Sequence, residues 1–192
     1  MSTENIVLMR MARESLKDKW GLAIGTFLIY GIITGSMGSF GAAGSILSLL
    51  VGGPFMLGAA TFALSISRGR EARLEQIFQG FNRFGTALGA YLLMVLYVLL
   101  WTLLLVVPGI IAALSYSMTF YILSDDQSIK AEDALRKSKM MMDGYKLKLF
   151  YLCLRFFLLS LLCILTLGIG FLWLIPFIHV STAKFYDDIK GN

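Results

Sequence analysis

The stretch Tyr91-Leu92-Leu93-Met94-Val95-Leu96-Tyr97-Val98-Leu99-Leu100-Trp101-Thr102-Leu103-Leu104-Leu105-Val106-Val107 carries no charge and ends at Pro108-Gly109. As a helix it is about 25 Å long, close to the roughly 30 Å hydrocarbon core of a bilayer. Leu147 to Thr166 is a second apolar stretch of spanning length, and the chain as a whole follows the same composition: 57% of its 192 residues are apolar and only 15% charged. Soluble domains carry about a quarter charged residues. With a mean hydropathy of +0.75, the sequence predicts an all-α integral membrane protein. It excludes a soluble enzyme, a disulfide-stapled secreted domain and a disordered tail.

Working outward from Pro108, the spacings repeat. Phe84 precedes Pro108 by 24 residues, and Lys146 precedes Gly170 by 24; Asp125 follows Pro108 by 17, and Asp187 follows Gly170 by 17. The pairs Asp125-Asp126 and Asp187-Asp188 therefore fall at equivalent places. In a first copy Trp20 to Pro54 spans 34 residues, an excess of ten that matches the small-residue insert Gly35 to Gly44. A fixed period of this kind is the signature of internal repetition. The expected architecture is one membrane domain, 1–192, with repeats at 5–70, 71–126 and 127–189. Each repeat is an amphipathic helix followed by a helical hairpin, giving six membrane helices with turns at Gly52-Gly53-Pro54, Pro108-Gly109 and Gly168-Ile169-Gly170. The second helices look short, because Ile110 to Ser124 is only 15 residues.

The amphipathic segments carry apolar stripes of helical period. Leu74, Ile77, Phe78, Phe81 and Phe84 form one, and Ala131, Ala134, Leu135, Ser138, Met141 and Met142 repeat its first offsets. Ser128 is the expected N-cap of the latter. The first twenty residues hold Arg10, Arg13, Glu14, Lys17, Asp18 and Lys19, which reads as a third amphipathic helix leading to Trp20, not as a cleaved signal. All basic residues except Arg155 flank these segments or the tail, and none lies at the Gly/Pro turns. By the positive-inside bias both termini and all three amphipathic helices face the cytoplasm. Small-residue pairs at Gly21/Gly25, Gly31/Gly35 and Gly85/Gly89 are expected where helices touch.

Chemistry-bearing residues are few. Cys153 and Cys163 point roughly 80° apart on one helix, so neither a disulfide framework nor a metal cluster is expected. His179 has no second histidine, nucleophilic serine motif or carboxylate pair beside it in the bilayer. No phosphate-cradling glycine loop occurs, and the net charge of +5 is explained by a membrane without a nucleic acid. No cofactor is expected. Arg155, seven residues past Lys148, is the one cation inside a span, and intramembrane ionisable groups are by default candidate sites. Tyr116, Tyr121, Asp125 and His179 are its candidate neighbours in a polar site. Arg73, Arg83, Lys137 and Lys139 are candidate contacts to lipid headgroups, and Met140-Met141-Met142 suits an adaptable apolar surface.

Three stretches carry a resemblance: Leu100 to Met118 (LWTLLLVVPGIIAALSYSM), Ala134 to Met141 (ALRKSKMM) and Leu165 to Trp173 (LTLGIGFLW). Across Ala12 to Ile189 the chain resembles a family of bacterial polytopic membrane proteins known only as a domain of unknown function, number 975. More distantly it is similar to the membrane domain of bacterial glycerophosphodiester phosphodiesterases, whose catalytic barrel and metal ligands have no counterpart here. The resemblance implies a multi-pass protein of the bacterial cytoplasmic membrane and transfers no site residues. The expected function is a non-enzymatic module that engages anionic lipid, with another membrane protein or a second copy of itself as a further candidate partner. A small transporter or channel with a path between the repeats is the alternative, and a lipid-acting enzyme the third reading.

Overall fold

The computed structural model describes residues 3–37 and 41–191. Ser2, Asn192 and three members of the predicted insert, Gly38, Ser39 and Phe40, lie outside the described residues. The described chain is helical, without a strand: α1 Asn5–Leu16, α2 Trp20–Met37, α3 Gly41–Ser67, a 3-10 helix Leu74–Arg83, α4 Phe84–Leu104, α5 Val106–Tyr116, α6 Thr119–Asp125, α7 Ala131–Met141, α8 Lys146–Leu165 and α9 Phe171–Lys190. Five stretches are long and apolar enough to cross a membrane: Trp20–Met37, Gly41–Ser67, Leu74–Leu104, Val106–Asp125 and Lys146–Leu165. α9 has comparable length but carries Lys184, Asp187, Asp188 and Lys190 in its last two turns.

The centre is α3, which packs against α9, α6, α4 and the 3-10 helix, while α1 lies along α9 and α2 against α9 and α3. The core gathers around the C-terminal halves of α3 and α9 and most of α6, from Phe55 to Ser67, Val180 to Ile189 and Thr119 to Leu123. The other ends of the long helices expose bare apolar surface. Ile46 to Leu50, Leu99 to Val107 and Leu161 to Ile169 form an unshielded band there, far larger than a water-soluble protein tolerates.

The first predicted turn is overturned. Gly52-Gly53-Pro54 lies inside α3, which already begins at Gly41. Those glycines serve contact, not turning. A Cβ on Gly53 would stand 2.4 Å from the Ala87 carbonyl oxygen, and one on Gly58 would stand 1.9 Å from that of Ile77. Gly80 answers across the interface, 1.9 Å from the Pro54 carbonyl oxygen. Backbone meets backbone there, and a side chain at any of the three would drive the helices apart.

The segment 74–83 is also tighter than an α-helix. With three residues per turn, Ile77 and Gly80 eclipse on one row facing α3. Phe78 and Phe81 occupy the next row and meet the Phe55 ring edge-on at 6.0 and 5.1 Å. Their outer faces stay exposed, as does Phe84, so the predicted stripe is split between protein and surroundings.

Of the other two predicted turns, Gly168-Ile169-Gly170 falls at the expected place, while Pro108-Gly109 lies inside α5 and the break comes three residues before the proline. Leu105 is extended between α4 and α5, and Pro108 sits in the first turn of α5, where its missing N–H costs nothing. The helix thus begins before the proline, and the stretch expected as one helix is divided into α5 and α6 at Ser117-Met118. Glycine again permits the crossing: Cβ atoms on Gly109 and Gly170 would stand 2.1 Å from Thr102 Oγ1 and 2.7 Å from Cys163 Sγ, each on the residue seven positions earlier. The predicted small-residue pairs do not mark contacts. Nothing lies within 4 Å of a Cβ on Gly21, Gly25, Gly31, Gly35 or Gly85, and Gly89 meets only the Ala131 methyl at 3.6 Å.

Candidate functional site

Arg68 is positioned by the way α3 ends. Gly69 takes a φ of +66°, and the Arg70 and Gly69 amides bond the Ser65 and Ile66 carbonyls, a glycine-terminated Schellman stop. The guanidinium then spans two helix ends. Arg68 Nη1 and Nη2 donate to Asp125 Oδ1 and Oδ2 at 2.5 and 2.8 Å, and Nε and Nη2 donate to Asp187 Oδ1 at 3.1 and 2.6 Å. Tyr186 Oη at 3.0 Å and Lys190 Nζ at 2.6 Å donate to Asp125 Oδ2. Ser67 Oγ donates to Asp187 Oδ2 at 3.1 Å, and Lys184 Nζ to the Ser67 carbonyl. The hydrogen bonds to Asp125 hold the Arg68 guanidinium even more firmly protonated than usual, against the opposing effect of partial burial. A cation near a helix C-terminus is also favoured by the dipole. The C-terminal ends of α3, α6 and α9 are joined in one ionic knot, with Thr61 and Ser124 sharing a further hydrogen bond of 2.9 Å between α3 and α6.

A second pair of contacts fixes the chain's beginning. Asp188 accepts Lys148 Nζ at 2.6 Å, the Thr3 amide at 3.0 Å and the Thr3 hydroxyl at 2.5 Å. Asn5 Nδ2 donates to the Lys148 carbonyl at 2.8 Å. The two halves of the Asp187-Asp188 pair thus have separate tasks: Asp187 faces α3, Asp188 faces α1 and α8.

The predicted polar site is only partly assembled. Tyr121 stacks on Tyr186 at 5.6 Å, which bonds Asp125, and Tyr121 Oη donates to the His179 carbonyl at 3.4 Å. The His179 imidazole itself stacks on Phe27 at 4.5 Å. Tyr116 is elsewhere, against Tyr97 at 5.7 Å. Arg155 meets none of these four. It lies on α8 beside α1 and makes no hydrogen bond or ion pair among the described residues, bordering a cavity with Ile6, Met9 and Leu158. No group of three or more histidine, cysteine, aspartate or glutamate side chains is placed to hold a metal among the described residues.

The headgroup candidates also separate. Arg83 is taken by the protein: Nη1 donates to the Leu123 and Asp126 carbonyls at 2.8 and 3.3 Å, and Nη2 to that of Ile129 at 2.9 Å. It closes the end of α6, where carbonyls lack intrahelical partners. Arg73 is exposed but paired with Glu71 at 2.8 Å. Lys137 and Lys139 stand on the exposed face of α7 with Arg136, opposite buried Ala134, Leu135 and Ser138. Ser138 is a tie that its polar type did not advertise. Its hydroxyl donates to the Ser115 carbonyl at 2.8 Å and accepts the Met118 amide at 3.2 Å, which the break between α5 and α6 leaves unpaired. Ser128 does not cap α7. It bonds Asp126 Oδ1 through its amide at 3.0 Å and its hydroxyl at 2.6 Å, and Lys130 occupies the N-cap without a side-chain bond.

Sequence reasoning passed over Arg68, which looked like one more flanking cation. A signal was present in the equal spacing of Asp125 from Pro108 and of Asp187 from Gly170, but Arg68 stands 14 residues past Pro54, not at that 17-residue offset. Residues 102–192, just under half of the chain, match a protein family described as "Protein of unknown function (DUF975)". That segment contains both aspartates of the knot, Asp125 and Asp187, and the whole of α7 to α9. No curated protein and no solved structure matches the chain.

Proposed function

We propose that this is a six-span, non-enzymatic protein of the bacterial cytoplasmic membrane that engages anionic lipid through basic faces on its cytoplasmic side. Its three units, 5–70, 71–126 and 127–189, each comprise a short amphipathic helix and a hairpin, with α9 as the sixth span and both termini cytoplasmic. The element order supports the units: α1 with α2 and α3, the 3-10 helix with α4 to α6, and α7 with α8 and α9.

One observation carries the lipid reading. α7 turns its apolar side into the protein while Arg136, Lys137 and Lys139 point outward with no hydrogen bond or ion pair among the described residues. Such a helix suits the interface plane, where each cation near an anionic surface contributes about 1 kcal/mol, screened by salt. A transport path is less favoured, because the polar side chains gather at the ends of α3, α6 and α9, whereas transporters place such groups near the midplane.

Replacing Arg136, Lys137 and Lys139 together with Gln tests this. The variant should bind phosphatidylglycerol-containing vesicles more weakly than the parent at low salt and equally at high salt, with zwitterionic vesicles unaffected. Equal binding at low salt would leave these residues a topological role alone.

A further inference from the structure

We infer that one anionic phospholipid lies between α1 and α8, its phosphate on Arg155 and an acyl chain along Leu158 and Leu162. This rests on the lipid reading above and assigns it a specific site. Arg155 lies about 10 Å along α8 from Lys148, yet the two cations are treated differently: Lys148 is neutralised by Asp188, while Arg155 has no acceptor among the described residues. A guanidinium in an apolar segment needs an anion or water. A phosphodiester matches its planar, two-pronged donor geometry.

The surrounding space has the shape of an amphiphile. At one end a cavity of about 490 Å³ is bordered by Thr3, Glu4, Asn5, Lys148, Tyr151 and Arg155. It shares Ile6 and Arg155 with an apolar cavity of about 380 Å³ along Met9, Leu158 and Leu162. That one shares Leu159 and Leu162 with a third, of about 480 Å³, reaching Cys163 and Trp173 and bordered on the α1 side by Arg13. From Tyr151 to Thr166 the groove follows about 22 Å of helix, more than the roughly 15 Å depth of one leaflet. The lining along α8 turns from polar to apolar where Arg155 stands, as the junction of headgroup and chain requires, and Arg13 of α1 is the one further charge among the described residues that borders the apolar part.

The groove is also preformed. Asn5 ties α1 to the Lys148 carbonyl, and Thr3 and Lys148 share Asp188, so its mouth is fixed without ligand and little ordering opposes binding. Glu4, exposed at the mouth, disfavours a second negative group and so suits a singly charged diester.

The test counts lipids retained by the purified full-length chain in neutral detergent, by native mass spectrometry, with phosphatidylglycerol against phosphatidylcholine of the same chains. The parent should retain one phosphatidylglycerol. Arg155→Gln should lower its occupancy about tenfold, the loss expected for a charged hydrogen bond, and Arg155→Lys should retain an intermediate level. Leu162→Trp, which fills the apolar part and keeps the charge, should lower it too. Unchanged retention in Arg155→Gln, with loss in the Arg136/Lys137/Lys139 variant, would overturn the groove and leave the interfacial reading standing. Unchanged retention in both would overturn both. Competition by millimolar inorganic phosphate would assign Arg155 to a soluble anion and overturn the lipid assignment.

Discussion

Arg68 and Arg155 are the same side chain in two environments, and the difference decides what each substitution does. Arg68 and Asp125 expose only 19% and 13% of their side chains, so removing one partner leaves the other partly desolvated and uncompensated. Asp125→Asn should cost about 2–3 kcal/mol, read as a lower thermal unfolding midpoint in detergent. Arg68→Gln should cost a similar amount, and the double variant less than the sum, because the two share one interaction. Additive losses would show that the knot does not act as a unit. Arg155→Gln breaks no bond within the chain and should move the midpoint by no more than a few degrees. At Asp126 the sign can be stated as well. Its carboxylate accepts both Ser128 donors and is held below the usual carboxylate range. Its contribution is therefore present above the unfolded value and lost as pH falls through the folded one. Ser128→Ala should flatten whatever part of the acid-limb stability profile Asp126 supplies.

At the scale of elements, the interface between α3 and the 3-10 helix rests on absent side chains. Gly58→Ala and Gly80→Ala each put a methyl within 1.9 Å of a backbone carbonyl oxygen, which no rotamer can relieve, so both should fold poorly or lose several kcal/mol, at the upper end for overpacking. Gly25→Ala meets nothing within 4 Å and should be neutral or gain up to about 1 kcal/mol from helix propensity. Expression and unfolding midpoints of the three variants check this. The same comparison explains what was readable in advance. Length, lack of charge and the stripe on α7 announced helices because these properties belong to each segment alone. Which glycines would touch another backbone did not, since Gly21/Gly25 and Gly53/Gly58 have similar small-residue patterns and differ only in what stands opposite. Pro54 misled for the same reason: a Gly-Gly-Pro sequence reads as a turn locally, but it packs as helix against Ala87, Tyr91 and Gly80. Arg68 with Asp125 and Asp187 required knowing that three helix ends meet, which only the equivalent spacing of the two aspartates hinted at.

For the molecule as a whole, two features point the same way. The ends of α3, α6 and α9 that bear the knot lie near the basic amphipathic segments, while the opposite ends of the long helices expose Leu103 to Val107 and Leu161 to Ile169 without a charge. If the positive-inside bias sets the orientation, the first set faces the cytoplasm and the second the outer leaflet. Single cysteines can distinguish the sides after Cys153 and Cys163 are replaced with Ser. Gln79→Cys and Lys137→Cys are suitable inner reporters because both positions are exposed; Ser138 is buried against Ser115 and would be silent either way. Leu167→Cys is the outer reporter, at a position 94% exposed in the turn between α8 and α9. An impermeant thiol reagent applied to intact cells should label Leu167→Cys and spare the other two until the membrane is opened. Labelling of Gln79→Cys or Lys137→Cys in intact cells would reverse the orientation. It would also remove α7 from the cytoplasmic anionic surface on which the proposed function depends.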